Sequence, residues 1–277
     1  MTAVITSEAA SDTGLVRPAN EDSGYAGRCL FAVADGMGGH AAGEVASSIT
    51  INTIARYDVP HPPDRLAEIL GHAVREANDA IRQRTEEDAA THNMGTTLTA
   101  MLWSGYSFAI AHIGDSRAYR LRDGQLRQIT DDHSLRNLIA GTPASLAPII
   151  SRYLDGRADR SPDLMIRQAA PGDQYLLCSD GLTSVVPDDQ IRDTLVSASS
   201  SDQAVGQLIG IANRLGGPDN TTVILIDVDA VPRATKAPPG MLGATALQLD
   251  KRRSVSSAVS PRLSSPTRPC SAHSAHS

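Results

Sequence analysis

Four aspartates each sit at one end of an apolar run, beside Gly, Ser or Asn: Asp35 in FAVADGMGGH, Asp115 in AIAHIGDSRAY, Asp180 in YLLCSDGL and Asp219 in GGPDNTTVILIDV. An apolar run that meets Asp-Gly or Asp-Asn reads as a buried strand entering a tight turn. A carboxylate there is held by a rigid strand yet faces the open end of a sheet. Four such carboxylates suit hard divalent cations, which prefer oxygen ligands. Ser116, Ser134 and Ser179 are the serines near these turns, but none lies in a G-x-S-x-G elbow, which argues against a covalent serine mechanism. No lysine precedes Lys236, so the first 235 residues offer neither a Schiff-base amine nor a P-loop lysine.

The elements that must hold these residues alternate along the first 230 positions. Residues 29–35 read as a strand and 41–57 as a helix after the Gly-Gly-His turn. Residues 65–84 form a stronger helix pattern, with Leu66, Ile69, Leu70, Ala73, Val74, Ala77, Ala80 and Ile81 at steps of three and four, and Asp64 as N-cap. Residues 96–103, 106–112, 118–122 and 126–130 follow as strands joined by short connections, including Asp123-Gly124. Connections that short require antiparallel pairing, because a parallel crossover needs about a dozen residues. A strand over 174–180, helices over 187–196 and 202–215 and a closing strand over 221–228 complete the series. Sheets covered by helices, an α+β layering, are the expected architecture.

Composition bounds the class. Of 277 residues 41% are hydrophobic but only 3% aromatic, so Val, Ile, Leu and Ala must fill the core. No run approaches the ~18 apolar residues of a membrane span, and the start has no basic and apolar pattern of a signal peptide. Cys29, Cys178 and Cys270 have no metal-type spacing; the first two lie in apolar strands and read as core residues. This fits a reducing cytoplasm. Residues 233–277 carry seven Lys/Arg against one Asp, whereas the rest carries 18 against 30, a net −12. An acidic body disfavours nucleic acid and favours cations. From about Val231 the chain turns rich in Ser, Pro and Ala, so the expected division is a catalytic domain over 1–231 and a disordered basic tail over 232–277. Removal of residues 233–277 is expected to leave activity unchanged.

The aspartates and the RPANED segment (17–22), in this order, resemble the metal-dependent protein phosphatases of the protein phosphatase 2C type, particularly bacterial Ser/Thr phosphatases. The matching stretches are RPANED, ADGMGGH (34–40) followed by AAGE, GTTL (95–98), HIGDSR (112–117), LCSDG (177–181) and GPDNT (217–221). The resemblance implies two packed antiparallel β-sheets flanked by helices on both sides. It implies hydrolysis of phosphate monoesters by a water activated between two Mn²⁺ or Mg²⁺ ions, among the chemistries that demand the greatest transition-state stabilisation. On that reading Asp35 bridges the two ions, the Gly36 carbonyl binds one, and Asp180 and Asp219 complete the other's shell. Glu21 and Asp22 hold waters on the ions, Arg17 grips the substrate phosphate, and Asp115 matches the carboxylate of a weaker third ion.

Two departures from the family stand out. Met37 follows Asp-Gly where some relatives have a proposed proton donor, and a thioether cannot donate; His40 is a candidate acid, with a water on the metal as its rival. The flap between Asp132 and Arg160 is shortened, and Pro148 falls near the place of a serine that helps hold the third ion in some relatives. The expected partners are phosphorylated Ser/Thr proteins, among them a bacterial Ser/Thr kinase and its targets, with no nucleic acid and a monomeric chain. A phosphoprotein-binding regulatory module with weak catalysis is the alternative.

Overall fold

The computed structural model describes residues 3–38, 42–135, 149–229 and 239–246. Its strands are β1 (Val4–Asp12), β2 (Ser23–Ala26), β3 (Leu30–Ala34), β4 (Gly36–Met37), β5 (Gly95–Thr96), β6 (Leu98–Ser104), β7 (Ser107–Ile113), β8 (Arg117–Arg122), β9 (Gln125–Gln128), β10 (Asp163–Gln168), β11 (Gln174–Cys178), β12 (Thr221–Asp229) and β13 (Gly240–Gly243). One sheet runs β1-β12-β11-β8-β9, a second β10-β7-β6-β3-β2-β13, and β4-β5 form a small ribbon. Every pairing is antiparallel, as the short connections require. The β8–β9 turn has positive φ at both Asp123 (51°) and Gly124 (72°), the two-residue geometry that suits strand twist.

Helices α1 (Ala42–Ile54), α2 (Leu66–Glu87), α3 (Asp180–Thr183), α4 (Asp188–Ser197) and α5 (Ser201–Arg214) complete the fold. The period-two alternation of the strands sorts side chains into three apolar layers. Phe31, Val33, Met101, Tyr175, Leu177, Ile224 and Ile226 meet between the two sheets. Leu30, Ala32, Ala100 and Leu102 point the other way, onto Ile51, Leu70, Val74 and Ile81 of α1 and α2. Leu176, Cys178, Val223 and Leu225 pack on Ile191, Leu195, Leu208 and Ala212 of α4 and α5. Central strands are therefore buried on both faces, which is why they read as continuous apolar runs. The two packed sheets flanked by helices match the expected architecture, and Cys29 and Cys178 are buried core residues outside any disulfide.

Three expectations are corrected. The helix over 41–57 ends as an α-helix at Ile54 and tightens into a 3₁₀ turn over Ala55–Tyr57. Asp64 does not cap α2; it lies inside a 3₁₀ turn, Pro63–Arg65, that feeds the helix directly. The expectation of a disordered tail over 232–277 does not hold at Gly240–Gly243, which add β13 to the edge of the second sheet. Met241 and Leu242 bury against two different cores, and the main chain gains a ladder partner, which together offset the ordering entropy. The helix-like stretch HSLRNLIAG (133–141) lies mostly outside the described residues.

Candidate active site

The acidic residues gather where strands of the two sheets end. Asp35 follows β3. Its N–H donates to Thr97 Oγ1 (3.0 Å), and its carbonyl accepts from the Thr97 N–H and the Thr96 hydroxyl (2.9 Å each). Thr97 Oγ1 in turn meets Ser116 Oγ at 2.8 Å, tying the β3 end to the turn that carries Asp115. Asp180 opens α3 immediately after β11. Asp22 precedes β2 and is the most enclosed of the group, 1% exposed. Ser179 Oγ donates to Asp22 Oδ2 (2.7 Å) while accepting the Thr222 N–H (2.9 Å), so one buried hydroxyl joins β11, β12 and the Asp22 corner.

Asn220 fixes the loop that carries Arg17. Its amide donates to the carbonyls of Thr13 and Ala19 (2.9 Å each) and its oxygen accepts the Glu21 N–H (2.8 Å). The loop bearing Arg17 is thereby held beside Asp219, and Arg17 Nη2 lies 2.6 Å from Asp219 Oδ2 with half of the arginine side chain exposed. Glycine is required at position 36: a Cβ there would run into the carbonyls of Gly43 and Glu21, so the missing side chain lets the start of α1 close on the site.

Crowding shows in the ionisation of these groups. Burial first, then neighbouring Asp22, Asp180, Asp115 and Asp219, pushes Asp35 well above the usual carboxylate range. Burial, with Asp180 and Asp219 adding, holds Asp22 at about 8. Burial and Asp180 raise Asp115 to about 7. Asp180 rises through burial and Asp219. Glu21 rises through burial, against the pull of Arg17. Asp22 Oδ1, Asp115 Oδ1 and Asp180 Oδ1 are buried with no hydrogen-bond partner among the described residues. Orphaned buried carboxylate oxygens in one neighbourhood fit a divalent cation, whose charge and coordination would answer both the repulsion and the missing bonds. Among the described residues, no three His, Cys, Asp or Glu side chains are drawn closely enough around one point to hold an ion as they stand.

The sequence-predicted residues thus assemble: Asp35, Asp115, Asp180 and Asp219 from four strand ends, Asp22 and Glu21 behind them, Arg17 at the rim, and the Gly36 main chain beside Asp35. His40 lies outside the described residues, as does Pro148. The positioning roles of Thr96, Thr97, Ser116, Ser179 and Asn220 were not read from the sequence, although all lie in or beside its motif stretches. Their signal was a small hydroxyl or amide next to a turn, which becomes specific only once the partner strand is known. At the root of the flap, the Gly114 N–H donates to His133 Nδ1 (3.0 Å), which leaves Nε2 to donate to Asp163 Oδ2 (3.0 Å). That contact braces the Asp115 turn against β10.

Comparison with known proteins decides the family. The model for protein phosphatase 2C matches residues 20–216. The chain belongs to the protein phosphatase 2C family. It is 46% identical over 237 residues to the serine/threonine protein phosphatase PstP of Mycobacterium tuberculosis, a match covering 82% of this chain and 46% of that protein. The chain therefore spans less than half of PstP. It is 34% identical to the serine/threonine phosphatase stp of Listeria welshimeri, covering 78% of this chain and 93% of that protein. The crystal structure of Mycobacterium tuberculosis PstP superposes with a TM-score of 0.78 at 45% identity, covering 82% of this chain and 99% of that one. The PstP catalytic domain in complex with two manganese ions does so at 0.76 and 46% identity, covering 82% and 100%.

Proposed function

We propose that this chain is a Mn²⁺- or Mg²⁺-dependent serine/threonine phosphoprotein phosphatase that hydrolyses phosphate monoesters at a two-metal site. The observation that carries this reading is the cluster of buried carboxylates with unpartnered oxygens beside a half-exposed arginine. The manganese-bound PstP catalytic domain supports the choice of cation.

Asp35, Asp180, Asp219 and the Gly36 carbonyl would hold the two ions, and Asp115 a weaker third. Bound divalent ions supply Lewis acidity, lowering the pKa of a water toward neutrality and offsetting phosphoryl charge. The chain supplies the rest. Asp22 and Glu21 orient water at the rear of the site. Arg17, now paired with Asp219, swings a planar fork of donors onto two phosphate oxygens, which fixes the phosphorus for in-line attack. Met37 contributes no proton, so the leaving alkoxide takes its proton from His40 or from water.

The substrates on this reading are phosphorylated Ser/Thr proteins, with a bacterial Ser/Thr kinase and its targets as partners in the cytoplasm. No helix among the described residues is long and apolar enough to cross a membrane. The test is hydrolysis of an aryl phosphate and a phosphothreonine peptide by EDTA-stripped protein as Mn²⁺ is titrated in. Metal-dependent turnover of both is the expected result. Bound Mn²⁺ with no turnover of either would overturn the phosphatase in favour of a phosphoprotein-binding module.

A further inference from the structure

The segment 239–246 lies beyond the family match, in the part of the sequence that composition marks as tail, yet it is built into the rear of the site. β13 pairs with β2 in the register Gly240↔Ala26, Met241↔Tyr25, Leu242↔Gly24 and Gly243↔Ser23. The pairing then continues past the strand: the Ala244 N–H donates to the Asp22 carbonyl at 2.7 Å. Gly243 has φ +62°, and a Cβ there would strike that same carbonyl, so the turn onto Asp22 needs glycine. Ala244 and Thr245 are fully buried, and Thr245 Oγ1 reaches Ser48 Oγ on α1 (3.3 Å). Next to Ser48, Ser47 Oγ of α1 donates to the Glu21 carbonyl (2.6 Å) and meets Ser23 Oγ (3.0 Å). The backbone of Glu21-Asp22 is therefore gripped from α1 and from the strap at once.

We propose that residues 239–246 are a positioning strap for the Glu21–Asp22 corner, setting the affinity of the site for its cations. This rests on the reading of Glu21 and Asp22 as the groups that orient water at the metals. It replaces the expectation that everything after residue 232 is dispensable and divides the tail in two. The strap belongs to the catalytic body, and residues 247–277 lie outside its role. Removing groups that orient a metal's surroundings costs roughly 10–100-fold in affinity or activity.

The test measures Mn²⁺ binding by calorimetry, without substrate, for the full chain, a chain ending at Ala246, one ending at Pro238, and Ala244→Pro in the full chain, which deletes the donor to Asp22. The chain ending at Ala246 should bind as the full chain does. The chain ending at Pro238 and Ala244→Pro should bind roughly tenfold more weakly, with faster amide exchange over residues 20–26. Ala244→Pro carries the test should the shorter chain fail to fold. Asp173→Asn, which weakens the fold far from the Asp22 corner, should leave Mn²⁺ affinity unchanged and so separates positioning from general destabilisation. Unchanged affinity in both strap variants overturns the strap, whatever turnover does. Strap-dependent affinity with no turnover in any chain overturns the phosphatase and leaves the strap standing. Failure of the full chain to bind Mn²⁺ overturns both.

Discussion

Aspartates in two regions of this molecule behave in opposite ways, even where they are equally enclosed, as Asp173 and Asp22 are at 1% exposed each. Asp173 immediately precedes β11, Asp163 opens β10 and Asp155 lies near the end of the flap. Asp173 accepts from Arg122 Nε and Nη2 (2.6 and 2.7 Å), the Ala170 N–H (2.8 Å) and the Tyr175 hydroxyl (2.9 Å). Burial opposes its ionisation, but these donors outweigh burial and hold it below the usual carboxylate range. Arg160 does the same for Asp155, and His133 with Arg152 for Asp163. In the acidic centre the balance reverses: Asp22, Asp35, Asp115 and Asp180 are pushed up by burial and by one another. A carboxylate that serves the fold is given its cation by the chain. One that awaits an outside cation is left short of partners, and that deficit marks the site.

The comparison breaks most directly by neutralising one member of each set. Asp35→Asn should lower Mn²⁺-dependent hydrolysis on the order of 10³-fold while raising the melting temperature in EDTA at pH 8, because it removes repulsion. Asp173→Asn should do the reverse, with Mn²⁺-dependent kcat near wild type and a stability loss of about 2 kcal/mol, as expected for weakened charge-assisted hydrogen bonds to a buried group. Kinetics and thermal melts of both variants check the pair. An Asp35→Asn protein that keeps wild-type turnover would remove the metal assignment altogether.

The pH dependence sharpens the same contrast. Asp22 at about 8 and Asp115 at about 7 keep protons in the folded chain that an unfolded chain has already released. The folded state then binds more protons than the unfolded one, so stability falls as pH rises through the window. Below it, Asp155, Asp163 and Asp173 act with the opposite sign. Their stabilisation is present above the ordinary carboxylate range and is lost as acid protonates them. His112, buried and held at about 4, likewise costs stability only on acidification. Melting temperatures in EDTA should therefore decline from above the ordinary carboxylate range up to about pH 8, where Asp22 gives up its proton, and saturating Mn²⁺ should abolish the decline. A flat EDTA profile would mean that the acidic centre is not crowded in solution.

Legibility from sequence followed burial. β3, β11 and β12 were readable because layers cover both their faces, so their residues are almost uniformly apolar. The strands without a clear sequence signal are β1, β10 and β13, which lie at sheet edges, and β2 and β4, which are only four and two residues long. β1 is half-buried throughout, and β10 leaves Leu164 and Ile166 exposed, so neither shows a clean alternation. β9 is also an edge strand, but Asp123-Gly124 announced it. In the site, the aspartates at strand ends were found because turn chemistry points at them. Asp22 was found only through the family motif, and its near-complete burial, with Ser179 behind it, depends on contacts 157 residues apart. Such a pairing leaves no local signal.

Arg17 stands between the two sets. Its bond to Asp219 is as short as that of Arg122 to Asp173, 2.6 Å in each case, but the arginine side chain is 52% exposed and its partner 30%, against 35% and 1% for the buried pair. An ion pair that open contributes little to stability, so the guanidinium can leave Asp219 for a phosphate at small cost. Arg122 cannot move in the same way without stranding a buried carboxylate. Arg17→Ala should accordingly raise KM for a phosphothreonine peptide about tenfold, the worth of one charge-assisted contact, with kcat and melting temperature little changed. Steady-state kinetics across peptide concentrations read the split between the two constants. A fall in kcat at unchanged KM would instead place Arg17 in the transition state alone, and a large loss of stability would return it to the structural set.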